Sequence, residues 1–193
     1  LLKQCMGHPA GFFSPNKFYS TLRSMGVKLS KDTLYAYLDH LEEAFILFPV
    51  RKWDRSLRVR SMNPSKLYVV DTGLAGRFSV TPDRGKRLEN AVFHHLRQRQ
   101  RELFYLANGH EVDLASADDT PQAAWNVAWS VHEPATRERE IRSLEWVRSR
   151  YPEIETSLVC HEAPDAWDHE PRLIPAWQLL CGALDQASAG DSD

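Results

Sequence analysis

Apolar positions spaced three and four apart mark the first part of the chain as helical. Ser14-Pro15 reads as an N-cap followed by Pro at the first helical position, Phe18, Leu22 and Met25 recur on one face, and Gly26 supplies a stop. Ser30 reads as the next N-cap, with Asp32 well placed in the first turn and a stripe of Leu34, Tyr37, Leu38, Leu41 and Ala44 behind it. Phe45 to Val50 is apolar and β-prone, Arg51 to Asn63 is basic and turn-like, and Lys66 to Asp71 is strand-like again. Asp71-Thr72-Gly73-Leu74 can cap a short helix.

The second part has a different rhythm. Ser79 to Arg84, with Pro82, reads as a linker, and Leu88, Ala91, Val92, His95 and Leu96 form one face of a helix starting near Gly85. Leu103 to Leu106 and Val112 to Ala115 are short strands joined by the hairpin signal Asn108-Gly109. Ala123 to Val131, rich in Trp and Val, reads as a buried strand. Thr136 is placed to cap a helix carrying Ile141, Leu144, Trp146 and Val147 near one face. Thr156 to Cys160 and Leu173 to Ile174 supply two more strands, and Trp177 to Leu184 a last short helix.

Helix, turn, helix and hairpin is the order of a winged helix. A helix bearing Glu89, a strand holding Glu111-Val112-Asp113 and an apolar strand after it is the layout of a restriction-endonuclease-like core. The expected fold class is therefore α/β (α+β): an N-terminal winged helix-turn-helix over residues 1–78, a linker over 79–87, a restriction-endonuclease-like domain with a central mixed sheet over 88–185, and a flexible polar tail over 186–193.

Composition changes this picture little. The 193 residues are 42% hydrophobic and 26% charged with a net charge of −2, so the molecule is no simple polycation. No apolar run approaches the roughly 20 residues of a membrane span. Lys3, Gln4 and His8 interrupt any signal-like start, and the three scattered cysteines suit reduced thiols, so a cytoplasmic location is expected. The opening Leu1-Leu2-Lys3, without Met, suggests a piece of a longer protein.

Charge placement matters more than its total. Arg51, Lys52, Arg55, Arg58 and Arg60 cluster in the expected wing against Asp54 alone, with Lys31 and also Lys17, Arg23 and Lys28 nearby. Such a cluster suits salt-dependent contact with DNA phosphates. The expected recognition helix carries Asp32, Asp39, Glu42 and Glu43, which favours backbone contact over base reading. Phosphodiester hydrolysis would instead need Glu89, Glu111 and Asp113 around a divalent ion such as Mg2+. Active members of that class end the third element in an acid or Gln, any residue, then Lys. Here Asn126-Val127-Ala128 stands in those positions, without the lysine. His110 lies close enough in sequence to approach such an ion. The run Thr136-Arg137-Glu138-Arg139-Glu140 reads first as a solvated, ion-paired helix face. Neither GxxxxGK[ST] nor GxGxxG occurs, so no P-loop lies within these residues.

Five short motifs occur in order: Leu67-Tyr68-Val69-Val70-Asp71-Thr72-Gly73-Leu74, Gly85 to Val92, Asn108 to Asp113, Pro134 to Glu140, and Leu173-Ile174-Pro175-Ala176-Trp177. Together, over about residues 14 to 181, they resemble the C-terminal region of prokaryotic AAA-type ATPases known as domain of unknown function 4143. The resemblance implies a P-loop ATPase core ahead of residue 1, which would bind ATP and be a partner of this part in the same chain. Glu89, Glu111 and Asp113 fall on the family's acidic positions. Three readings stay open: a non-catalytic ATPase-associated module that binds DNA or a partner, a metal-dependent nuclease, and an interaction or oligomerisation module.

Overall fold

A computed structural model of the chain describes residues 1–79, 81, 83–99 and 102–182. It is a mixed α/β structure with eight helices and eight strands among the described residues. The chain divides into two compact units between Lys86 and Arg87. None of the described helices is long and apolar enough to cross a membrane.

The first unit runs α1 (Leu2–Met6), β1 (Gly11–Phe13), α2 (Pro15–Ser24), α3 (Lys31–Glu43), β2 (Leu47–Lys52), α4 (Leu57–Met62), β3 (Ser65–Val69) and α5 (Thr72–Gly76). Local chemistry sets the helix starts. The hydroxyls of Ser14 and Ser30 accept from the N–H groups of Lys17 and Thr33, and Asp71 accepts from that of Leu74. β3 is central: β1 pairs antiparallel with one edge (Gly11 with Leu67, Phe13 with Ser65) and β2 with the other (Leu47 with Val69, Pro49 with Leu67). Cys5, Met6, Leu47, Leu67, Val69 and Ala75 form the core, with Leu38, Leu41 and Ile46 packed against it.

Several expectations shift here. The stretch 51–63, expected to be turn-like, contains α4, which Ser56 starts by accepting from the Val59 N–H. Leu34, Leu38 and Leu41 complete an i, i+4, i+7 stripe on α3, so Tyr37 and Ala44 fall on its flank and are exposed. Met25 lies past the end of α2 and is exposed too. Apolar spacing gives no signal for α1 and β1, which are too short to show a period.

The second unit contains β4 (Leu103–Ala107), β5 (Glu111–Ala117), β6 (Pro121–Ser130), α7 (Pro134–Arg150), β7 (Glu155–Glu162), β8 (Arg172–Pro175) and α8 (Ala176–Leu180). They follow α6 (Arg84–Arg97), whose buried residues all lie from Leu88 onward. β4, β5 and β6 form an antiparallel meander, and β6, β7 and β8 continue the sheet in parallel, with Val127 opposite Val159 and Val159 opposite Ile174. A parallel neighbour requires a crossover, which α7 supplies. Ala124, Trp125, Asn126, Val127 and Ala128 are buried in succession, as are Leu158, Val159 and Cys160, so both strands are covered on both faces. The β4–β5 hairpin turns through three residues, Asn108 to His110, with Gly109 in the left-handed region at φ 77°.

Residues 84–87, expected in the linker, are the first turn of α6. Val80 and Pro82 of that stretch lie outside the described residues. The N-cap of α7 is Glu133 rather than Thr136. Pro134 takes the first helical position, where no N–H is needed, and the Thr136 hydroxyl donates to the Glu133 carboxylate at 2.8 Å. The last helix ends at Leu180, and the expected tail from 186 to 193 lies outside the described residues.

Each unit holds one buried thiol. Burial pushes both Cys5 and Cys160 up to about 11, while Cys181 is exposed. Leu114 on β5 is fully buried beside Trp125 of β6. Leu114→Ala should destabilise the protein by about 2–5 kcal/mol, read as a lower urea midpoint with an unchanged slope.

Candidate functional sites

In the first unit the β2–β3 connection is a basic segment held by its own hydrogen bonds. Trp53 is buried at its base. Asp54 accepts from the Ser56 N–H at 2.8 Å, and Asn63 donates to the Val59 carbonyl at 2.7 Å. Arg60 donates from Nε to the Asp54 carbonyl and is half-buried, so this expected DNA contact is held within the fold. Arg51, Arg55 and Arg58 are exposed and Lys52 is half-exposed. Lys31, at the start of α3, lies exposed with its ammonium 6.0 Å from the Tyr35 ring centroid.

α3 has the opposite character. Asp32, Asp39, Glu42 and Glu43 are all exposed, and His40 lies 3.6 Å from Glu43. Positive potential in this unit therefore sits on the connection rather than on the helix.

The second unit gathers a polar cluster where two strands part. The β5–β6 ladder runs no further than Leu114 opposite Trp125; beyond that point β5 continues beside β4 and β6 beside β7. Asp113 and Asn126 sit at that fork. Asn126 Oδ1 accepts from the Asp113 N–H at 3.2 Å, and Asp113 Oδ2 accepts from the Val127 N–H at 3.0 Å. Two side chains thus supply the acceptors that a continued ladder would have given.

Asn126 also reaches α7. Its amide donates to the Glu140 carboxylate at 2.8 Å and to the Glu140 carbonyl at 3.3 Å. Arg139 donates to the other Glu140 oxygen at 2.5 and 3.1 Å. Glu140 is 7% exposed. Its burial raises the carboxyl pKa, and the negative charge of Asp113 raises it further, against the pull of Arg139 and Asn126. The hydrogen bond and charge of Glu140, with smaller help from Asp113 and Glu111, raise the Arg139 pKa in turn.

The sequence-derived acids are dispersed in role. Glu89 is buried on α6, Glu111 is exposed at the start of β5, and Asp113 is half-buried at the fork. Among the described residues no three His, Cys, Asp or Glu side chains come together as a group able to hold a metal ion. His110 stacks on Trp146 at 5.8 Å between ring centroids. Glu140 and Arg139 are the residues that sequence reasoning missed, having read them as a solvated face. The available signal was spacing: Glu140 shares its helix face with Leu144 and Val147, at i+4 and i+7.

Residues 1–84 match the model of a family described as a domain of unknown function, DUF8612. An uncharacterized protein of Methanocaldococcus jannaschii is 29% identical over 141 residues, which cover 70% of this chain and 31% of that protein. An uncharacterized protein of Haemophilus influenzae is 32% identical over 109 residues, covering 54% and 24%. The chain thus spans about a third or less of the length of these curated relatives. No solved structure matches it.

These matches overturn the resemblance to domain of unknown function 4143: the family matched is a different one, and neither relative's description links it to an AAA-type ATPase. The resemblance was the ground for expecting an ATPase core, its ATP and its role as a partner, and that ground is withdrawn. The motifs misled because short ones answer local needs. Asp71-Thr72-Gly73-Leu74 is a capped helix start, and Asn108 to Asp113 is a hairpin turn entering a strand.

Asn126→Ala would strand the Asp113 N–H and one Glu140 oxygen, and should cost about 1–3 kcal/mol in denaturant unfolding. Glu140 has a folded-state pKa above its unfolded value. Its proton therefore stabilises the fold at low pH, and that contribution fades as pH rises through the folded pKa, above the usual carboxylate range. The thermal midpoint of the wild type relative to Glu140→Gln should fall as pH climbs through that window, and a difference flat in pH would contradict this assignment.

Proposed function

We propose that this chain is a nucleic-acid-binding module in which a winged helix grips the phosphate backbone through its wing, beside a restriction-endonuclease-like domain kept as a non-catalytic scaffold. The order α1, β1, α2, α3, β2, α4, β3, with β1 on the far edge of β3 and α4 inserted in the wing, supports the winged-helix reading. The order α6, β4, β5, β6, α7, β7, with three antiparallel strands and a parallel fourth, supports the second.

One observation carries the non-catalytic part. One Asp113 oxygen accepts from the Val127 N–H, and the adjoining Glu140 carboxylate is engaged by Arg139 and Asn126, which supports a structural use of this cluster. Ala128 stands where active relatives of this fold class place lysine, so no cation is supplied from that position to offset charge in the transition state. The wing, with Arg51, Arg55 and Arg58 exposed and Lys52 half-exposed, is left as the anion-binding surface. The acidic α3 argues for backbone contact without base reading.

Fluorescence anisotropy with duplex DNA tests this. Affinity should fall steeply with salt, with a log–log slope of about −0.9 for each phosphate contacted, and be insensitive to sequence. The double substitution Arg55→Glu, Arg58→Glu should weaken binding about tenfold or more and make the slope shallower by about 2. Salt-independent binding, or binding untouched by that change, removes the reading. Mg2+-dependent cleavage abolished by Asp113→Ala would replace the scaffold with a nuclease.

A further inference from the structure

The first unit also contains a groove, which shares Arg51 with the basic cluster. Leu47, Pro49 and Arg51 alternate onto one face of β2, and the ladder sets Pro49 against Leu67 of β3, while Phe13 of β1 pairs with Ser65. These residues form the floor of a cavity of about 180 Å³. One face of α3, carrying Tyr35, Leu38, Asp39 and Glu42 at i, i+3, i+4 and i+7, forms its wall. The floor is thus largely apolar and the helix side is acidic.

α4, on the same unit, has the complementary character. Leu57 is 77% exposed and Met62 72% exposed, and Arg55 and Arg58 flank Leu57 in the chain. That exposure also means the groove of the same molecule does not take Leu57. An apolar knob between two arginines complements in polarity and charge a largely apolar groove edged by two carboxylates, Asp39 and Glu42, against one cation, Arg51.

We infer that the α4 knob of one copy docks in the α3–sheet groove of a second copy. Where each copy's knob reaches the other's groove at once the contact closes as a two-fold dimer, and where it does not the free knob and groove extend into rings or open chains. Arg55 and Arg58 would face Asp39 and Glu42 in this contact and phosphates in the nucleic-acid complex, so the two states exclude each other. The docking itself does not rest on the nucleic-acid reading; only the competition does.

Sedimentation velocity on the full chain over a range of concentrations is the test, with DNA affinity measured in parallel. Mass should rise with concentration, and added salt should weaken the association. Leu57→Ser alters no charge at an exposed position. It should weaken association at least tenfold while leaving salt-dependent DNA binding intact, so failure of the docking is distinguishable from failure of the binding proposal. Asp39→Arg with Glu42→Arg should also abolish association, and adding Arg55→Glu with Arg58→Glu to the same chain should restore it. A chain that stays monomeric at every concentration overturns the inference and leaves the groove to a different partner. Association unchanged by Leu57→Ser and by the acidic-wall substitutions overturns it equally.

Discussion

Where β5 and β6 separate, two backbone N–H groups lose the ladder that would have satisfied them, and much of the second unit is organised around meeting that demand. Asn126 answers for one and Asp113 for the other. Beyond the fork β6 runs on beside its parallel partner β7, reached through α7, and β5 stays with the hairpin strand before it. Asn126 then spends its amide on Glu140, so one buried side chain ties two strands and the crossover helix together. A buried amide that donates and accepts on opposite sides fixes strand register in a way an apolar residue cannot.

The same demand bears on chemistry. A fork that leaves carboxylates at the end of a ladder is a natural place for an ion, and also a natural place for hydrogen bonds that have nothing to do with one. The outcome depends on which donors arrive. Here a backbone N–H, an amide and a guanidinium arrive, and the charge of Asp113 next to a buried Glu140 is moderated by Arg139. The first unit separates charge differently, with a basic connection held by Asp54, Ser56 and Arg60, and a helix carrying exposed acids.

Much of the architecture was legible because it follows from local rules. Ser14-Pro15, Ser30 and Asp71 each start a helix where capping chemistry places one. Asn108-Gly109 makes its hairpin, and the largely apolar run of β6, with Asn126 in its middle, marks a strand covered on both faces. The losses occurred where tertiary context decides. α4 is a single capped turn whose basic sequence resembles a loop, and Pro134 moved the start of α7 three residues ahead of Thr136. The candidate site was half visible. Asp113 and Asn126 were singled out, but Glu140 was hidden in a run of alternating charges, because its burial depends on a helix packing over a fork created elsewhere. The family resemblance failed for a related reason: motifs this short record the needs of a turn or a cap, and unrelated chains share those needs.

The two buried cysteines have a use that their inertness conceals. Cys5 belongs to the core of the first unit and Cys160 to a central strand of the second, and burial keeps both protonated at neutral pH. A thiol in that state reacts only when its surroundings open, so the rate at which each is trapped by an alkylating reagent measures the local opening of its own unit. Cys181, exposed from the outset, reacts first and marks the zero of that clock. The chain thus carries native reporters of whether its halves unfold together or one after the other.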